Sequence, residues 1–106
     1  MKISIIKTTT NKKKISKTIA NELVEKQLSP CVQIISNVKS TYIYENKIHT
    51  DSELLIMIKT INKYEIDCKN IIMKYHNYIV PEIIITKADI LNDEYKEWFS
   101  QNLKNI

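Results

Sequence analysis

The fold is decided by the run Val32-Gln-Ile-Ile-Ser-Asn-Val-Lys-Ser-Thr-Tyr-Ile-Tyr44, the break Glu45-Asn46-Lys47, and the run Glu53-Leu-Leu-Ile-Met-Ile-Lys-Thr-Ile61. The first run, read from Cys31, is rich in β-branched and aromatic residues and is too long for one regular strand, so a bulge or bend near Asn37 is expected. Glu45-Asn46-Lys47 reads as the turn, with Asn46 suited to a left-handed backbone. In the second run Leu54, Ile56 and Ile58 share one face and Leu55, Met57 and Lys59 the other. Apolar residues on both faces point to a central strand or to one packed in an assembly.

Working outward from this hairpin, Lys2 to Thr8 reads as a strand. A helix capped by Asn11 and running to about Leu28 follows, with Ile15, Ile19, Ala20, Leu23, Val24 and Leu28 on one face. Beyond the hairpin, Asn62-Lys-Tyr-Glu65 has the form of a capping box. It opens a helix with the stripe Tyr64, Cys68, Ile71, Ile72 and Tyr75 that ends before His76-Asn77. Pro81 leads into a strand from Glu82 to Thr86. Asn92 caps a last helix with the face Tyr95, Trp98, Phe99 and Leu103.

The order is strand–helix–strand twice, then a helix. It gives an α+β, ferredoxin-like βαββαβ sandwich with an extra C-terminal helix and an extended central β-hairpin, one domain over residues 1–106. The hairpin is longer than such a sheet needs. Its overhang implies edges for another subunit to cover.

Composition narrows the function. The chain has 106 residues, 43% hydrophobic and 26% charged, within the range of soluble globular domains. No apolar run reaches the roughly 18 residues of a membrane span, and the start does not read as a signal peptide, so a cytoplasmic protein with Cys31 and Cys68 as reduced thiols is expected. There is no glycine, which excludes glycine-rich phosphate cradles, and no arginine, which removes the bidentate guanidinium fork. The net charge of +4 comes from scattered lysines, a pattern that does not favour nucleic-acid binding.

Five stretches then match a known family in order: Cys31-Val-Gln-Ile; Ser40-Thr-Tyr42-Ile-Tyr44-Glu45-Asn-Lys47-Ile48; Glu53 with Ile58-Lys59-Thr60; His76-Asn-Tyr78-Ile-Val80-Pro81-Glu82-Ile83; and Tyr95-Lys-Glu-Trp98. Over nearly its whole length the chain resembles the CutA-like divalent-cation-tolerance proteins. The resemblance implies a tight homotrimer whose long hairpins pair between subunits, an association with copper tolerance, and no enzymatic reaction. Three positions depart from the family pattern. Asn77 replaces the usual proline, which should loosen the turn into Tyr78, and Asn46 replaces a hairpin glycine. Lys7 and Tyr75 stand where some bacterial members carry a cysteine and the first of two histidines.

Two kinds of site are open. Cys31, His76 and Glu82 are of metal-ligand type, and thiolate with imidazole suits copper or zinc, but their spacing requires assembly in space, within or between subunits. Alternatively Tyr42, Glu53, Lys59, Tyr78 and Trp98, with Glu82, line clefts between subunits and bind a small anionic ligand through Lys59. A structural trimer without a site is the third reading. His49 is expected at the hairpin base in solvent. The stretch Tyr75–Ile83, bulky where a plain turn would use small residues, is either a binding surface or a connection whose tyrosines cap the core.

Overall fold

The computed structural model describes residues 1–105. Its elements run β1 (Lys2–Thr10), α1 (Lys13–Glu25), β2 (Cys31–Tyr44), β3 (Lys47–Thr60), a 3₁₀ turn (Asn62–Tyr64), α2 (Glu65–Tyr75), β4 (Ile84–Asp89) and α3 (Asp93–Gln101). The four strands form one antiparallel sheet in the order β2-β3-β1-β4. This is the ferredoxin-like sandwich with its added helix.

Strand alternation sorts the sheet into two faces. Ile6 lies opposite Ile58 across β1 and β3; with Ile56 on the same face they join Ile19, Leu23, Cys68, Ile72 and Phe99 in the core, and all are fully buried. The other face carries Ile5, Lys7, Leu55, Met57 and Lys59, all partly accessible.

Buried hydroxyls tie the elements together where apolar packing alone would leave carbonyls unpaired. Thr60 Oγ1 donates to the Leu28 carbonyl at 2.6 Å, and Ser29 Oγ donates to that of Lys59 at 2.6 Å. Ser4 Oγ donates to Glu65 at 2.5 Å, and Lys87 reaches the same carboxylate. These hydrogen bonds, Lys87 first and then Ser4, hold Glu65 below the usual carboxylate range. They also explain why the expected capping box does not form. Asn62 accepts from Lys87, Glu65 accepts from Lys87 and from the buried Ser4, and no side-chain bond caps α2.

Several boundaries differ from the sequence reading. Helix α1 begins at Lys13 with Lys12 at the N-cap, because Asn11 is engaged by Asn77 Nδ2 at 2.8 Å. It ends at Glu25, where Gln27 takes a left-handed φ of 56° and Leu28 and Ser29 both donate to the Leu23 carbonyl. Strand β3 starts at Lys47 rather than Glu53. Between Ile48 and Glu53 its residues His49-Thr50-Asp51-Ser52 are polar and give no hydrophobic alternation, so only pairing with β2 marks them as strand. Strand β4 starts at Ile84 rather than Glu82 and extends to Asp89, which pairs with Lys2.

The hairpin is bulged between Ile35 and Val38, with Asn37 at φ 61°, as expected. It closes on the two residues Glu45 and Asn46, at φ 50° and 64°. Two consecutive positive φ values define the turn whose twist matches paired strands. Strand β1 accompanies β3 only from Leu54 onward. Beyond that point Val38–Tyr44 and Lys47–Glu53 form a two-stranded arm, which draws the molecule out to 46 × 25 × 21 Å.

Candidate functional site: an acidic, tyrosine-walled cleft

Where the arm leaves the sheet, the segment 76–83 crosses beside it, and the two enclose a cleft of about 720 Å³. Tyr42 and Glu53 come from the arm, Thr9 from β1, and Tyr78, Val80 and Glu82 from the crossing segment. Glu53, only 8% exposed, accepts a hydrogen bond from the Tyr78 hydroxyl at 2.5 Å. Burial, then this bond and the Glu53 charge, push the Tyr78 phenol well above its ordinary value. The Tyr42 hydroxyl donates to Asp51, and that bond leads the causes raising its own phenol. The tyrosines therefore stay protonated donors that orient acceptor carboxylates.

The crossing segment is fixed by His76 and Asn77. The Tyr78 N–H donates to His76 Nδ1 at 3.0 Å, so that nitrogen is unprotonated. His76 Nε2 then carries the proton and donates to the Thr9 carbonyl at 2.8 Å. The ring also packs on Tyr78, with centroids 4.8 Å apart. Asn77 Oδ1 accepts from Thr10 Oγ1 at 2.7 Å, while its Nδ2 holds Asn11. The turn expected to be loosened by the loss of proline is instead tied by two side-chain bonds.

Of the residues expected to form a ligand cleft, Tyr42, Glu53 and Tyr78 come together with Glu82. Lys59 and Trp98 do not join them. Lys59 lies six residues from Glu53 along β3, about 20 Å at the rise of a strand. It donates to the Tyr95 hydroxyl at 3.2 Å, and Trp98, 41% exposed, packs on the same tyrosine. Of the residues expected to bind metal, Glu82 lines the cleft, whereas Cys31 sits opposite Lys59 at the far end of the sheet. Both nitrogens of His76 are engaged within the chain, leaving no lone pair free for a metal. Among the described residues no three His, Cys, Asp or Glu side chains are grouped to hold an ion. The reading of His49 also changes. It lies near the arm's tip, stacked on Tyr42 with centroids 5.6 Å apart, and its Nε2 donates to the Tyr44 carbonyl. Sequence reasoning missed Thr9, Ser40 and Thr41 as lining residues, and no local pattern singles them out, whereas Val80 lies in the stretch already read as a candidate binding surface.

The fold and the cleft define a class: a ferredoxin-like sandwich whose overlong hairpin carries a polar-aromatic pocket at its root. The sequence profile described as "CutA1 divalent ion tolerance protein" matches residues 4–102. The chain is 32% identical over 98 residues to the divalent-cation tolerance protein CutA of Thermus thermophilus, covering 92% of this chain and 95% of that one. It is 31% identical over 101 residues to the chloroplastic CutA of Arabidopsis thaliana, covering 95% of this chain but 56% of that protein. The crystal structure of CutA1 from Ehrlichia chaffeensis superposes with a TM-score of 0.86 at 34% identity, covering 94% of each chain. The chain belongs to the CutA1 divalent-ion tolerance family.

Proposed function

We propose that the protein is a non-catalytic, homotrimeric divalent-cation-tolerance protein whose working surface is the cleft at the root of the hairpin, completed by a neighbouring copy. The observation that carries this reading is the arm. A two-stranded ribbon standing alone is marginal in water. This one also exposes Ile43 by 75% and Ile48 by 78%, with Ile79 beside the cleft at 90%. Such a surface needs a partner, and a second copy offers the same arm and the same edge. Weak binding of copper or another divalent cation belongs between subunits in this reading, because Cys31 and Glu82 do not converge within one chain and His76 is already engaged. Two free cysteines fit a reducing, cytoplasmic setting.

Light scattering tests the assembly directly: a mass near three times the 12.5 kDa of one chain is expected, and a monomer overturns the proposal. Calorimetric titration of Cu²⁺ and Zn²⁺ into reduced protein tests the cation. Weak binding that Cys31→Ser or Glu82→Gln reduces is expected. Binding unchanged in both variants rules out these residues.

A second reading has its own support. A cleft of this volume, with one buried carboxylate and three tyrosines, has the size and polarity of a small-molecule site.

A further inference from the structure

The lining of the cleft has a definite sign. It holds two carboxylates, Glu53 and Glu82, and no lysine or histidine, in a chain with sixteen lysines against twelve acids. Asp51 stands behind Tyr42 and adds to the same negative field. Lys59, which the sequence reading assigned to an anionic ligand, is at the other end of β3.

Glu53 is the sharpest feature. It is more than nine-tenths buried, its one side-chain donor is the neutral Tyr78 hydroxyl, and it enters none of the ion pairs among the described residues. A carboxylate so withdrawn from water, with a single neutral donor, is under-compensated until a positive group arrives. A hard divalent ion calls for several converging oxygen ligands, and the described residues do not group that way. The walls here are instead the rings of Tyr42, Tyr44 and Tyr78 with the apolar Ile43, Ile79 and Val80. Aromatic faces beside a carboxylate select an organic ammonium, whose charge meets the acid while its body covers the rings.

Resting on the reading of this cleft as the working surface, we infer that it binds a small organic cation, its ammonium group against Glu53 and its apolar body along the tyrosines. A lysine of a neighbouring copy offers the same chemistry, and the experiment separates the two sources.

The test titrates 2-phenylethylamine, 2-phenylethanol and 3-phenylpropanoate into the assembled protein at neutral pH, following binding by calorimetry. Saturable binding of the amine, at least about tenfold tighter than the alcohol and tighter still than the acid, is expected. Glu53→Gln should weaken the amine at least about tenfold, with folding checked by circular dichroism. Glu82→Gln, at an exposed position safe for folding, should weaken it by about two- to fivefold. Equal binding of amine and acid, no saturation with the amine, or an affinity unchanged in both variants overturns the inference. So does an amine that binds only after Ile48→Asp, on the arm but outside the cleft lining, has broken the assembly, which would place a neighbour's lysine in the cleft. Light scattering on the same samples keeps the readings apart, because a monomeric wild type rejects the trimer while the amine titration still decides the ligand.

Discussion

The two halves of β3 have nearly the same length and the same pairing partner on one side, yet they stand in different physical situations. From Leu54 to Thr60 the strand lies between β2 and β1, with helices over one face, and Ile56 and Ile58 are fully buried. From Lys47 to Glu53 it pairs with β2 alone, and Ile48 stands in solvent. Strand geometry is therefore not what distinguishes core from surface here. The difference is whether a third layer arrives, and for the outer half this chain does not supply one.

That contrast can be broken at either end. Ile58→Ala removes a fully packed side chain and should cost about 2–5 kcal/mol, read as a lower urea midpoint at every protein concentration. Ile48→Ser should leave the isolated subunit within about 0.5 kcal/mol of wild type while weakening association. Its melting temperature would then fall mainly at low concentration. If the two variants gave the same concentration-independent loss, the distinction between the halves would collapse.

Asn77→Ala sharpens the comparison at the cleft. It removes both side-chain bonds of the crossing segment and should cost about 1–3 kcal/mol by denaturant melts, with amide exchange at Tyr78 speeding up. An effect below about 0.5 kcal/mol would mean that His76 alone fixes the segment.

The contact of Glu65 with Lys87 and Ser4 gives a pH test. Because the folded carboxylate is lowered from 4.5, its stabilisation is present above that value and is lost as pH falls through the folded value. Lys87→Met should therefore flatten the loss of stability below pH 4.5. The smallest effect concerns the thiols. Burial pushes Cys68 up to about 11, so alkylation of native protein at pH 8 should modify Cys31 and spare Cys68.

Much of this was legible in the residues. The bulge announced itself because fourteen strand-forming residues contain one Asn suited to a positive φ. The stripe of α2 gave its buried face, with Cys68 as a core thiol. The stretch of β3 before Glu53 was not legible, because its mostly exposed polar residues carry no alternation to read. Nor were the caps, since Asn11, Asn62 and Glu65 have the right chemistry for capping but long-range partners compete for them. Of the cleft, the sequence supplied Tyr42, Glu53, Tyr78 and Glu82. The separation of Lys59 from Glu53 was legible too, since six residues along one strand span about 20 Å and the two can share a cleft only across subunits.

The bulged hairpin also has a consequence for the order in which the chain acquires structure. Contacts across Glu45-Asn46 join residues close in sequence, whereas the pairing of Lys2 with Asp89 joins residues 87 positions apart. Closing a short loop takes far less time than bringing distant segments together, and hairpins form in about 1–10 μs. The arm can thus form transiently while β1 and β4 are still apart, and a neighbouring copy would hold it in place. A nascent subunit would then display its adhesive element before its own sheet is complete, and association could begin while folding is still under way.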